Sequence, residues 1–170
     1  MFSIITPSYN KFEHIPKCIG SVKAQKKVIR EHIIMDGLSS DGTLEFLKNY
    51  KHKLTNQDSM YNFSFESEKD KGMYDAINNG WLKSNGEILS WLNCDEQYLP
   101  GTLSYVRDIF HNNPDVEVVY GNAIIIDNEG NLISGRNELP LNKFLISNTF
   151  LNIFSCTIFF RKSLYESGLL

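Results

Sequence analysis

The chain has 170 residues, a length suited to one domain. Hydrophobic residues make up 42% and aromatic residues 12%, enough apolar material for a core, so a disordered chain is excluded. Lys and Arg number 17 against 20 Asp and Glu, a net charge of −3, which argues against a dedicated nucleic-acid binder.

In chain order, Phe2–Thr6 is a short apolar, β-branched run stopped by Pro7 and predicts a buried strand. Ile15, Ile19 and Val22 recur at helical spacing. Val28–Met35 is again β-rich and ends at Asp36-Gly37. The loop Leu38-Ser39-Ser40-Asp41-Gly42 precedes a helix near Thr43–Tyr50, which Ser40 or Asp41 can cap. Lys51–Ser59 is polar linker, and Asn62–Glu66 alternates polar and aromatic residues as a strand does. Met73, Ala76, Ile77, Gly80 and Trp81 form a helix stripe, and Ile88–Leu92 is another apolar run. Pro100 opens a helix with Leu103, Val106 and Phe110 inward, stopped by Asn112-Asn113-Pro114. Val116–Tyr120 and Cys156–Arg161 read as strands, and Ala123–Ile126 with Asn131–Ser134 flank a hairpin turn, Asp-Asn-Glu-Gly.

Strands alternating with helices imply βαβ crossovers: an α/β protein with three α/β/α layers, a mainly parallel central sheet and an antiparallel edge. Ligands of such sheets bind at the carboxyl ends of the strands. Special polar residues collect at those ends: Pro7-Ser8-Tyr9-Asn10, then Asp36, then Glu68-Lys69-Asp70-Lys71-Gly72, then Asn93-Cys94-Asp95-Glu96. Two adjacent carboxylates and an amide oxygen in the last cluster suit Mg²⁺ or Mn²⁺, with water and substrate phosphate completing the shell. The same cluster also reads as an exposed acidic turn, with Cys94 a small packing residue. Asp36 can accept from a base imide or hold its own turn, and Tyr9 can stack on a base or pack at the strand end. Asp70 can cap the following helix, whose N-terminus attracts anions with help from Lys69 or Lys71. His14, His32, His52 and His111 show no metal spacing and read as surface or packing residues, and Trp81 and Trp91 read as core. Cys18, Cys94 and Cys156 fit neither a disulfide scaffold nor a zinc module. No apolar run approaches the roughly 18 residues of a membrane-spanning helix, and the first residues lack the pattern of a signal peptide.

The ordered series SIITPSYN, IIMDGLSSDGT, SEKDKGMYDAINNG and ILSWLNCDEQYLPGTL, followed by DVEVVYGNAIIIDNEGNLI, resembles bacterial family 2 glycosyltransferases of the glycosyltransferase-A fold. The resemblance implies a metal-dependent, inverting transfer of sugar from a UDP- or dTDP-sugar. The acceptor is a saccharide or a lipid-linked molecule in surface polysaccharide synthesis. It implies a base pocket at Pro7, Ser8 and Tyr9, with Asp36 at the base imide. Asp70 and Lys71 border the nucleotide, Asn93 opens the motif that in the family is Asp-x-Asp, and Asp95 holds Mg²⁺ or Mn²⁺. Glu96 stands where a further acidic residue is usual. Asn93 in place of Asp and Leu38 in place of a small residue are departures.

The resemblance also divides the chain into a nucleotide-binding part, about residues 1–96, and the start of an acceptor part, about 97–170. The stop at Leu169-Leu170 predicts a piece of something longer, with the catalytic base beyond Leu170. Asp127 and Glu129 are available acids, but on a turn that reads as exposed. A missing segment would cover apolar surface around Phe154–Phe160. The alternative function is a nucleotide-sugar binding domain with little or no transfer. The expected location is cytoplasmic, with peripheral association at the inner face of the membrane in keeping with lipid-linked acceptors.

Overall fold

A computed structural model describes residues 1–54, 58–138, 140 and 153–168. The elements follow the expected alternation: β1 (Phe2–Ser8), α1 (Ile15–Lys23), β2 (Arg30–Asp36), α2 (Thr43–Lys53), β3 (Tyr61–Ser67), α3 (Met73–Leu82), β4 (Ile88–Trp91) and α4 (Thr102–Asn112). Then come β5 (Val118–Val119), β6 (Ala123–Ile126), β7 (Leu132–Arg136), a 3₁₀ turn (Ser155–Thr157), β8 (Phe159–Arg161) and α5 (Lys162–Glu166).

The central sheet has the order β3-β2-β1-β4-β8-β5. β1 through β4 run parallel, and β8 runs antiparallel between β4 and β5. The antiparallel edge expected from the hairpin is a separate two-stranded ribbon, β6 with β7. β1 and β2 are buried along their whole length, so the Arg30, Glu31 and His32 that open β2 are covered together with its apolar residues.

Side-chain alternation sends successive residues to opposite faces. Phe2 and Ile4 pack with Cys18 and Val22 of α1 and with Leu103, Val106 and Phe110 of α4. Ile34 meets Ile15, Ile19 and Leu47 on the same side. Ile5, Ile33, Met35 and Leu89 face the other way, onto Ala76, Ile77 and Trp81 of α3. The two clusters are the two interfaces of the three-layer sandwich. Met73, expected on the α3 stripe, is 44% exposed because it opens the helix beyond the reach of the sheet.

Phe159 and Phe160 correct one expectation. Both are 2% exposed, one on each face of β8, so this stretch is core rather than uncovered surface. Phe159 meets Phe2 edge-on at 6.3 Å between ring centres, and Phe160 meets Trp81 at 5.1 Å.

His32 is fully buried, with Nε2 2.8 Å from the Thr6 hydroxyl. Burial, with the charge of Arg30 adding to it, pushes its pKa down to about 3 from 6.5. The folded protein therefore holds this ring neutral while the unfolded chain protonates it. Unfolding takes up a proton between those two values, so the stability present above pH 6.5 declines as pH falls towards about 3. The expected outcome is a melting temperature that drops between about pH 6.5 and about pH 5, before most carboxylates titrate. His32→Gln keeps a partner for Thr6 and should flatten that drop; an unchanged slope in the variant would assign the effect to other groups.

Candidate functional site

The parallel order of β1 through β4 delivers all four strand-end clusters to one edge of the sheet. Register pairs Ser8 with Asp36 and Asp36 with Ser67, so the ends of β1, β2 and β3 lie side by side. β4 joins them through Cys94, whose thiol donates to the Pro7 carbonyl at 3.1 Å. Burial, with the adjacent Asp95 charge adding to it, pushes that thiol up to about 11. Cys94 is thus the neutral packing residue expected from its sequence position.

Pro7 and Ser8 are buried and Tyr9 is 63% exposed, with its ring free to meet a ligand. Asn10 adopts a left-handed φ of 50° and clamps the next loop: its N–H donates to Ser39 Oγ at 2.8 Å, and its Oδ1 accepts from the Ser40 N–H at 2.8 Å. Asp41 completes the clamp, accepting from the Phe12 N–H at 2.9 Å and from the Thr43 hydroxyl and N–H. Burial, the largest single influence, raises its carboxyl, but the bonds from Thr43 and Phe12 together outweigh it and hold the carboxyl below the usual value. Gly42, not Ser40 or Asp41, occupies the cap position of α2, because a φ of 98° is needed there.

Asp36 is 3% exposed and already well occupied. Its carboxylate accepts from the Ser39 N–H at 3.0 Å, the Ser39 hydroxyl at 2.5 Å and the Ser67 hydroxyl at 2.7 Å. It therefore holds the turn. A carboxylate offers about four acceptor sites, so one is left for an incoming N–H. Ser39 and Ser67 are functional neighbours that sequence reasoning missed; Ser67 acts across the β2–β3 register, which no local pattern reveals.

Asp70 and Tyr9 meet at Gly37. A Cβ at that glycine would stand 2.8 Å from Asp70 Oδ2 and 3.5 Å from Tyr9 Cδ2, so a larger residue would push this wall apart. Asp70 Oδ1 accepts the Gly72 N–H at 2.9 Å, and Asp75 accepts the Lys71 N–H at 3.1 Å, which together start α3. Asp70 is therefore a turn residue preceding the cap rather than the cap itself, which is Gly72. Lys71 is exposed at the same edge.

The two acids after β4 differ. Glu96 accepts from the Asn93 N–H at 2.8 Å and from the Ser155 hydroxyl at 2.9 Å, using both oxygens. Asn93 Nδ2 also donates to Ser155, at 3.1 Å, while Asn93 Oδ1 is buried with no hydrogen-bond partner. Asp95 is exposed and holds no hydrogen bond among the described residues. The described residues contain no cluster of three or more His, Cys, Asp or Glu side chains that would enclose a metal ion. Any divalent ion here needs oxygens from a ligand. Asp127 is spent on its hairpin, accepting from the Asn131 side chain and from the Glu129 and Asn131 N–H groups. Those bonds, the Asn131 side chain foremost, hold it below the usual value.

The chain is 30% identical over 173 aligned positions to the GalNAc(5)-diNAcBac-PP-undecaprenol beta-1,3-glucosyltransferase of Campylobacter jejuni, covering 97% of this chain and 53% of that enzyme. Its fold matches the crystal structure of S. aureus TarS 1-349 in complex with UDP-GlcNAc, with a TM-score of 0.66, 19% identity and coverage of 98% of this chain and 47% of that one. It also matches the mannosyltransferase PcManGT of Pyrobaculum calidifontis in complex with GDP-Man and Mn²⁺, with a TM-score of 0.70, 16% identity and coverage of 98% and 46%. The chain spans 60% of the length or less of the curated relatives it matches. The sequence model for glycosyl transferase family 2 matches residues 3–168, from the second residue of β1 past the end of α5, and the chain belongs to that family.

Proposed function

We propose that the chain is the donor-binding portion of a metal-dependent, inverting glycosyltransferase that takes a UDP- or dTDP-sugar. The acceptor is a saccharide or lipid-linked molecule of surface polysaccharide synthesis, met at the inner face of the cytoplasmic membrane. Residues 1–96 bind the nucleotide and 97–170 begin the acceptor side. One observation carries the reading: at an edge where Asp36 and Glu96 are held by protein donors, Asp95 keeps a carboxylate free for a cation.

Asp95 would hold Mg²⁺ or Mn²⁺, and such an ion, when bound, neutralises charge developing on the leaving diphosphate. Tyr9 stacks on the base, Asp36 takes the imide N–H in its remaining acceptor position, and Asp70 with Lys71 borders the phosphates. Asn93 Oδ1, buried and unpartnered, accepts from a donor hydroxyl. The acceptor hydroxyl attacks the anomeric carbon opposite the diphosphate while a carboxylate takes its proton. Asp127 is committed to its turn and does not serve as that base. This commitment also favours a second reading, donor binding with little transfer by these 170 residues alone.

Calorimetry should show that Asp95→Ala and EDTA each weaken UDP binding, and that the two effects do not add. Indifference to EDTA would exclude Asp95 as a bridging ligand. Asp36→Asn should weaken UDP binding by about 1–3 kcal/mol while leaving pyrophosphate binding nearly intact, because the amide opposes a donor to a donor. Equal losses for both ligands would confine Asp36 to holding the loop. Transfer by the chain as given should be slower than donor binding permits, by the roughly 10²–10⁴-fold that a base supplies. Brisk transfer would place the base within residues 97–170 and sink the second reading.

A further inference from the structure

The opposite edge of the sheet carries a second concave site. It lies at the start of β2, about 20 Å along that strand from Asp36. A cavity of about 610 Å³ opens between the C-terminal ends of α1 and α2 and the first residues of β3, and Lys23, Lys26, Lys27 and Lys51 line it. Its wall also holds Arg30 and Asp58, but these neutralise each other in an ion pair at 2.9 Å. The remaining N–H groups of Arg30 donate to the carbonyls of Val22, Lys23, Val28 and Met60, so Arg30 is structural. The lysines supply the field of the cavity, in a chain whose net charge is −3.

Two of these lysines have an ordinary explanation. Lys23 and Lys51 sit in the last turns of α1 and α2, where cations offset the helix dipole. They also lie over the rings of Tyr50 and Phe65. Lys26 and Lys27 belong to no helix. Lys27 takes a left-handed φ of 61°, a conformation that Gly or Asn adopts more readily, and its carbonyl is held by Arg107 Nη1 at 2.5 Å. Four lysines thus line one cavity whose lining carries a single carboxylate, Asp58, which is bonded to Arg30 and lies within reach of the Lys26 charge, so positive charge is in excess there.

We propose that this cavity binds a phosphorylated group, with the ammonium groups of Lys23, Lys26, Lys27 and Lys51 around the phosphate. The inference does not depend on the donor-site reading, since the two sites share no residue.

The test uses the whole 170-residue chain, with Lys26→Gln combined with Lys27→Asn. Asn tolerates the left-handed conformation, so the double variant removes charge without refolding the turn. Phosphatidylglycerol vesicles should sediment the chain at low salt and phosphatidylcholine vesicles should not. The double variant should lower that partitioning by about 30-fold, from about fivefold per basic residue. Separately, inorganic phosphate is titrated while amide resonances are followed. Shifts at Lys26, Lys27 and Tyr61 without vesicle binding would assign the site to a soluble phosphate compound. Asp95→Ala should leave both readouts unchanged, and the double variant should keep its UDP affinity, so failure here and failure of the donor site remain distinguishable. If neither vesicles nor phosphate engage these residues, or if the double variant binds like the parent, the proposal is overturned.

Discussion

A buried carboxylate sets the frame on which the rest of the molecule depends. Glu31 is 5% exposed, and a charge so placed must be hydrogen-bonded. It accepts from the Ser3 hydroxyl and from the backbone N–H and side-chain amide of Asn85. Ser3 in turn accepts the Gly86 N–H at 2.7 Å. This network joins the starts of β1, β2 and β4. Only glycine fits at position 86, where a Cβ would lie 2.3 Å from Ser3 Oγ and 2.6 Å from its backbone nitrogen. Parallel strands fixed at one end are fixed at the other, so a bond network at the amino edge determines how the chemical groups meet at the carboxyl edge.

The two edges are consequently of opposite character. The carboxyl edge gathers Asp36, Asp70, Asp95 and Glu96, and satisfies most of their oxygens internally. The amino edge gathers ammonium groups around a cavity. The small net charge of the chain conceals this polarity, because it averages two regions separated by the length of a strand.

Much of this was legible in the residues. β1 and β4 are apolar because both faces are covered, and the helical stripes of α1, α3 and α4 repeat at the spacing of one buried face. The strand-end clusters followed from the alternation of elements, since parallel strands leave their carboxyl ends together. Long-range pairings were not legible. Ser155 lies 59 residues from Glu96, and Ser67 lies 31 from Asp36; nothing in local pattern connects them. β8 was visible as an apolar run, but its insertion between β4 and β5 depends on two phenylalanines facing opposite cores. Gly42 and Gly72 as caps, in place of the polar residues beside them, reflect backbone angles that composition does not express.

The position of β8 also governs the order in which the polypeptide can assemble as it leaves the ribosome. β1 through β4 find their neighbours within the first part of the chain. β5 emerges some forty residues before β8, which among the described residues is its only partner in the sheet. Until Phe159 and Phe160 are synthesised, Phe2 on one face lacks the Phe159 ring that closes over it, and Trp81 on the other has Trp91 beside it but not Phe160. Such distant contacts form slowly, because a long loop must be closed before they contribute. Among the described residues, a chain that stops short of β8 therefore leaves one side of β4 without its antiparallel partner.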